Sequence, residues 1–232
     1  MSSQLTLSAT TRRAFERLGA DLRRVLHDRF IALVAYGSNA SVAFVASVRP
    51  DDLQALGSLV ESWQHDGLAA PLVLTPEEFH RSLDAFPLEY QAILGRHIVI
   101  AGEPPFLDVS VRPEDLRRAC EAQARAHLIH LRQGWLQAAA HDHDLIDLIV
   151  RSAGPFQALI TNVARLHGAP HETEEQLAAF AEHTIGMPAD IVKALLDLDE
   201  HPEHGARLLP RLGDYLAATE RLWDFVDAWR AS

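Results

Sequence analysis

The feature that most constrains the fold is an apolar run that ends in a Gly-Ser pair, within residues 30–41 (FIALVAYGSNAS). The run from Phe30 to Tyr36 has no polar alternation, which predicts a strand buried on both faces of a sheet. Gly37 permits a sharp bend and the close approach of a ligand. Ser38 can cap a following turn or donate its hydroxyl to a phosphate oxygen. The stretch therefore predicts a strand that ends at a phosphate-sized turn, although an ordinary turn uses the same residues.

Hydrophobic patterning predicts a first half that mixes helices and strands. A helix over residues 10–27 precedes the apolar strand, and helices are also predicted over residues 49–63 and after Thr75, where Thr75 and Glu78 form a capping box. Further strands are predicted over residues 42–48, 71–74, 87–94 and 97–101. A hinge at residues 105–112 closes this half, so we expect a first domain over residues 1–110.

The second half has a helical pattern throughout. Helices are predicted over residues 113–140, 145–151, 173–183, 189–198 and 208–229, and Pro155 is expected to start a separate helix after residue 154. We therefore predict an α+β fold in which a small mixed β-sheet domain is followed by an all-α helical bundle over residues 113–232.

The order of these elements, with Gly37 and Ser38 directly after the first strand, resembles the nucleotidyltransferase superfamily of DNA polymerase beta and the aminoglycoside nucleotidyltransferases. In that superfamily the Gly-Ser turn holds the triphosphate, and an Asp-x-Asp at the start of the next strand holds two metal ions. The helical second half resembles a branch in which a helical bundle follows the catalytic domain. The resemblance implies a nucleotidyltransferase-like first domain in which Gly37 and Ser38 bind a nucleotide.

The metal motif of that superfamily is missing from this sequence. No Asp or Glu occurs from Arg29 through Pro50, so the Gly-Ser turn runs directly into the second strand. Two-metal phosphoryl transfer needs anionic ligands that hold Mg²⁺ against the substrate phosphates. The sequence therefore predicts a catalytically inactive relative that binds a nucleotide or a protein partner, as a homodimer or as half of a two-component system, and no cofactor is assigned.

An active enzyme with relocated carboxylates is the first alternative. Glu89 is a single charge within the strand predicted over residues 87–94, and it aligns loosely with a third carboxylate that the family carries in this region. The other interpretation of Glu89 is an outward-facing residue at the sheet edge. If Glu89 and Asp108 act as relocated ligands, the protein is a magnesium-dependent nucleotidyltransferase.

Arginines recur along the first long helix of the second half. Arg118, Arg125 and Arg132 are spaced by seven residues, which places them on one side of that helix. In the related enzymes this helix borders the nucleotide cleft, so Arg118 and Arg125 are candidates for phosphate binding. The alternative is a solvated face on which arginines pair with Glu114 and Glu121.

Two further patterns suggest chemistry in the second half. Arg125 and His130 match the Arg-x4-His spacing of HEPN ribonucleases, in which a His acts as acid or base beside an Arg on the phosphate. Residues 141–144 (HDHD) are typical of metal ligands or of a helix connection in which Asp144 caps the next helix. A HEPN-like ribonuclease or toxin-system component is thus the second alternative function, and we assign no metal ligand.

Composition limits the partners that the chain can have. The formal net charge of -11 opposes binding to nucleic acids and anionic membranes. The single cysteine, Cys120, excludes an internal disulfide and fits a reducing compartment. The first residues do not form a signal peptide, and no apolar run is long enough for a membrane span, so we expect a cytoplasmic protein.

Overall fold

Two units make up the chain, residues 1–112 and 113–232, and the computed structural model describes residues 6–106, 109–171 and 173–229 of them. The first unit contains four strands and five α-helices within its described residues. The strands are β1 (Phe30–Tyr36), β2 (Ala40–Val45), β3 (Leu72–Leu74) and β4 (His97–Gly102). The helices are α1 (Ala9–Leu26), α2 (Pro50–Gly57), α3 (Val60–His65), α4 (Pro76–Arg81) and α5 (Pro87–Gly95).

The strands form one mixed sheet in the order β3-β2-β1-β4. β1 pairs antiparallel with β2 and with β4, whereas β2 and β3 are parallel. Because β1 and β2 are joined by a hairpin, Tyr36 pairs directly with Ala40 across the turn. The mixed sheet followed by helices confirms the predicted α+β fold class.

Helices cover both faces of this sheet. On one face α1 to α3 pack Phe15, Leu18 and Trp63 against Leu33 and Val45 of the strands. Each such fully buried side chain contributes about 1.5–3 kcal/mol to folding. On the other face Phe44 of β2 contacts Phe79 of α4, with ring centroids 5.3 Å apart, and Phe79 contacts Tyr90 of α5 at 4.7 Å. Burial on both faces explains why β1 reads as a continuous apolar run.

The prediction of a strand over residues 87–94 is wrong, because this segment is helix α5. Pro87 stands in the first turn, where its missing N–H costs nothing, and Glu89 follows in the same turn. The buried residues Pro87, Tyr90 and Ile93 are spaced by three residues, which is a helical rather than a strand spacing. The helix predicted over residues 49–63 is also divided, because the chain leaves the α-helix after Gly57 and re-enters it at Val60.

The second unit is helical throughout its described residues. Its two longest helices, α6 (Pro113–Ala138) and α7 (Asp142–Leu166), contact each other along their lengths. The remaining α-helices are α8 (Glu174–Phe180), which a π-helical turn extends over Ala181–Ile185, α9 (Ala189–Leu196), α10 (Gly205–Leu208) and α11 (Leu212–Ala228). Short 3₁₀ turns connect α9, α10 and α11.

Helix α7 is continuous through Pro155, whereas the sequence predicts two helices separated near residue 154. Pro155 costs the helix about 3 kcal/mol. Buried side chains on one face offset that cost, because Ile149 and Ala153 before Pro155 and Phe156 and Leu159 after it belong to one buried stripe. In residues 6–106, 109–171 and 173–229, every helix is too short or too polar to cross a membrane.

Candidate functional site

The hairpin between β1 and β2 contains the predicted nucleotide-binding residues. Gly37, Ser38 and Asn39 form an exposed three-residue turn, and Gly37 adopts a φ of +69°, which glycine tolerates best. The turn leads into strand β2, so Ser38 does not stand at a helix N-terminus, where backbone N–H groups would help to bind phosphate. The role of Gly37 and Ser38 in nucleotide binding stays a prediction.

Glu89 lies in the first turn of α5 and is exposed. Both interpretations of Glu89 in the sequence analysis placed it on a strand, so both are wrong on this point. Its charge nevertheless reaches the end of β1. The pKa of Tyr36, the residue before Gly37, is raised by burial and further by the Glu89 carboxylate. Asp108, the other proposed relocated ligand, lies outside the described residues. In the described ranges no group of three or more His, Cys, Asp or Glu side chains is placed to hold a metal ion.

The arginines of α6 are engaged with acidic side chains. Arg118 forms an ion pair with Asp115, and Arg125 pairs with Glu121 at 3.3 Å. Arg132 pairs with Glu220 of α11 at 2.5 Å. These contacts agree with the solvated, ion-paired face that the sequence analysis gives as the alternative to a phosphate site, although exposed pairs are weak enough to be exchanged for a ligand.

Arg125 and His130 lie against different neighbours. The Arg125 guanidinium stands 5.2 Å from the centre of the Trp223 ring on α11. His130 instead lines a cavity between α6 and α7, and Arg125 is not among the described residues that line this cavity. The HEPN-like pairing of Arg125 and His130 stays a prediction.

Residues 141–144 and Cys120 are the remaining candidates for chemistry in the second unit. Residues 139–141 connect α6 to α7, which begins at Asp142 with His141 as its N-cap residue, so the prediction that Asp144 caps this helix is wrong. His143 stands 3.6 Å from Asp147 one turn further along α7. Cys120 is fully buried in α6, and burial raises the pKa of its thiol to about 12, which keeps it protonated and unreactive at neutral pH.

A cavity of about 360 Å³ between α6 and α7 contains the one buried histidine of the described chain. His127 is only 9% exposed, and its Nε2 lies 2.8 Å from the Tyr215 hydroxyl of α11. Tyr215 donates its hydroxyl hydrogen to the Ser152 carbonyl at 3.1 Å. The hydroxyl must therefore accept its second hydrogen bond from a proton on His127 Nε2.

The electrostatics of His127 follow from this burial. Burial, together with the neighbouring His130, lowers the pKa of His127 to about 4, so the ring is neutral at pH 7. Burial also raises the pKa of Tyr215, which keeps the phenol protonated. With the proton fixed on Nε2, the Nδ1 atom of His127 is able to accept a hydrogen bond, and the His127 side chain lines the cavity.

The sequence analysis does not single out His127, which lies among the buried residues of α6. The signal that marks it is a titratable residue at a core position, which requires a hydrogen-bond partner once it is buried. That partner, Tyr215, is 88 residues away in the sequence, so no local spacing reveals the pair. The cavity itself depends on how α6 and α7 pack and has no sequence signature.

A scan against family models gives no match to the sequence. A search of curated proteins also gives no match.

Proposed function

We propose that this chain is a catalytically inactive nucleotidyltransferase-like protein that acts by binding a nucleotide or a protein partner. The observation that carries the proposal is the β1–β2 hairpin. Tyr36 pairs with Ala40 across a three-residue turn, which leaves no loop for an Asp-x-Asp motif, and residues 30–50 contain no Asp or Glu.

The chemistry of nucleotidyl transfer explains why this hairpin favours binding without turnover. Metal ions neutralise the charge that develops on the phosphates, and carboxylates must hold those ions in place. Glu89 is the carboxylate whose charge reaches Tyr36 at the end of β1. One carboxylate does not supply the ligands that a two-metal site requires.

For a nucleotide, the proposed contacts are the Ser38 hydroxyl and the backbone at Gly37. A protein partner or a second copy of the chain is the other possibility. The net charge of -11 disfavours nucleic acids as partners. We further propose that the protein acts in the cytoplasm. The competing proposal is a magnesium-dependent nucleotidyltransferase that uses Glu89 and Asp108.

The test combines a turnover assay with a binding assay. Incubation with radiolabelled ATP, GTP or CTP and Mg²⁺ should give no transfer of a nucleotidyl group to the protein or to added acceptors. Isothermal titration should give nucleotide affinities that do not depend on Mg²⁺. Ser38→Ala should weaken this binding, whereas the control Ser47→Ala should leave it unchanged.

Magnesium-dependent transfer that Glu89→Gln abolishes would contradict the proposal and support the enzyme with relocated ligands. A complete lack of nucleotide binding would contradict the proposal that the protein binds a nucleotide and leave the protein partner. In that case size-exclusion chromatography with light scattering would test the partner alternative, for which a homodimer is the first expected result.

A further inference from the structure

We infer that the α6–α7 cavity is a binding site for a small monocarboxylate with an apolar body. This inference concerns the second unit alone and does not depend on nucleotide binding at the β1–β2 hairpin. Three parts of the cavity carry it: a buried hydrogen-bond acceptor on the wall, apolar side chains around the volume, and a cationic side chain at the mouth.

The acceptor is Nδ1 of His127. Its position is fixed because Nε2 is held by Tyr215, which is itself anchored to the Ser152 carbonyl on α7. Helices from three parts of the chain therefore determine the orientation of one imidazole ring. A ligand with a hydroxyl or N–H group at its buried end can donate a hydrogen bond to Nδ1, because the His127 ring is neutral at physiological pH.

The body of the cavity is apolar. Ala126 and Leu131 contribute from α6, and Leu148 and Pro155 contribute from α7. Gly134 brings the two helices close at one end, because a Cβ at this position would stand 2.5 Å from a Leu148 methyl group. The helices thus meet near Gly134 and enclose a volume of about 360 Å³ beside it, which is in the range of small-ligand sites.

The cationic side chain is Arg151, which is exposed at the cavity together with His130. Its Nε donates to the Asp147 carbonyl at 3.2 Å, which leaves its two terminal amino groups available. Among the described residues no carboxylate pairs with Arg151, in contrast to Arg118, Arg125 and Arg132 of the same unit. An uncompensated guanidinium beside an apolar cavity favours an anionic ligand group.

The charge and shape of these groups favour a monocarboxylate over a phosphate. One guanidinium supplies one permanent positive charge, and its two terminal amino groups match the two oxygens of a carboxylate. The overall charge of -11 opposes a dianion more strongly than a monoanion. The expected ligand therefore has a carboxylate at Arg151, an apolar body between the helices and a donor near His127.

Three probes test the inference by isothermal titration: 4-hydroxybenzoate, phenylacetate and 4-methylpentanoate. 4-Hydroxybenzoate, which carries a hydroxyl donor opposite its carboxylate, should bind with a dissociation constant of about 1 mM or below, and the other two acids, which lack a donor, should bind more weakly. The neutral analogue 4-hydroxybenzamide should bind about tenfold or more weakly than 4-hydroxybenzoate, because it lacks the charged group. In a long-range ¹H–¹⁵N spectrum of the imidazoles, the probe that binds should shift the ring signals of His127 and His130.

Two pairs of variants locate the site. Arg151→Ala should weaken binding of the carboxylate by about tenfold or more, whereas Arg132→Ala, which removes an arginine outside the cavity, should not. Ala126→Leu should abolish binding by filling the cavity, whereas Ala122→Leu on the exposed surface of α6 should not. Circular dichroism and the thermal midpoint should stay unchanged in all four variants, since each position is exposed or helix-compatible.

Several results would overturn the inference. They are the lack of saturable binding of all three carboxylates below about 10 mM, equal affinity for 4-hydroxybenzoate and its amide, and equal losses within either pair of variants. None of these results bears on the proposed function, because its nucleotide assay uses different ligands and Ser38→Ala.

Discussion

The β1–β2 hairpin end and the α6–α7 cavity hold polar side chains in opposite ways. At the hairpin end Gly37, Ser38 and Asn39 are exposed, so water can satisfy their polar groups whether or not a ligand is bound. In the cavity His127 is buried, and a hydrogen bond to Tyr215 fixes its tautomer. Preorganisation of this kind lowers the entropic cost of binding, which an exposed turn does not.

The two regions therefore differ in whether the fold itself fixes the orientation of the polar group. A three-residue turn keeps the Gly-Ser dipeptide but does not hold neighbouring ligands around it. A buried imidazole, by contrast, is kept in place by packing and by its partners on two other helices.

The first prediction contrasts two glycines of the first unit that both have positive φ. Gly102→Ala should lower the free energy of unfolding by about 3 kcal/mol or more, because its Cβ would stand 1.9 Å from the Ile31 carbonyl oxygen. Gly37→Ala should cost only about 1 kcal/mol, since no atom lies within 4 Å of the added carbon. Urea denaturation of both variants measures the two values.

A large cost for Gly37→Ala would contradict the description of the hairpin end as an open turn. It would mean that other groups pack against the turn, as a built nucleotide site requires.

The second prediction concerns the pH dependence that His127 imposes. Its pKa is about 4 in the folded state and ordinarily 6.5, so the unfolded chain binds more protons between these values and stability falls as the pH falls. Between pH 7 and pH 5 the free energy of unfolding should decrease by about 2 kcal/mol through this residue. Urea denaturation at several pH values measures the slope.

The control for this slope is His127→Gln, which keeps a donor toward Tyr215 but does not titrate. The slope between pH 7 and pH 5 should be flatter in this variant. Asp190 and Asp197, whose pKa values are lowered by Arg211 and His204, lose their contribution only as the pH falls below their ordinary value of 3.8. An unchanged slope in the variant would show that His127 is accessible to protons in the folded protein.

The third prediction removes the partner of His127. Tyr215→Phe leaves the Nε2 hydrogen of His127 without a partner and removes the hydrogen bond to the Ser152 carbonyl, which should cost about 1–2 kcal/mol of stability. Thermal or urea denaturation measures this cost, and Tyr36→Phe at the hairpin serves as the control. If only Tyr36→Phe lowered stability, the hydrogen bond at Tyr215 would not contribute to the fold and the prediction would be wrong.

The smallest effect is expected at Ser41, near the hairpin. Its hydroxyl is buried in β2 and has no hydrogen-bond partner among the described residues. Ser41→Ala should therefore leave stability unchanged or raise it by up to about 1 kcal/mol. The exposed Ser38→Ala should change stability by less. Destabilisation by Ser41→Ala would contradict this prediction and indicate that the Ser41 hydroxyl makes a stabilising hydrogen bond.

Sequence reasoning predicted the elements that have strong local signals. The strand Phe30–Tyr36 and the capping box of Thr75 and Glu78 occur as predicted. Residues 87–94 were assigned to a strand because a short apolar run fits a strand and a helix equally well. Pro155 was assigned to a helix start because the packing that keeps α7 continuous is not visible in the local sequence.

The candidate sites differ in the same way. Gly37 and Ser38 could be singled out because a dipeptide after a strand is a local pattern. The cavity could not, because it arises from the contact of α6 with α7 and from the pairing of His127 with a tyrosine of α11. Long-range packing of this kind is set by the tertiary fold and not by spacing along the chain.

Paramagnetic line broadening by Mn²⁺ in the ¹H–¹⁵N spectrum of the nucleotide-free protein tests directly whether the protein's own side chains hold a metal ion at the β1–β2 hairpin. Mn²⁺ takes the place of Mg²⁺ and broadens the signals of nearby residues. We expect no selective broadening at Tyr36, Gly37, Ser38 or Glu89, because among the described residues no group of three or more His, Cys, Asp or Glu side chains is placed to hold a metal ion. Selective broadening of these four residues at low Mn²⁺ concentration would contradict this expectation and indicate a functional metal site.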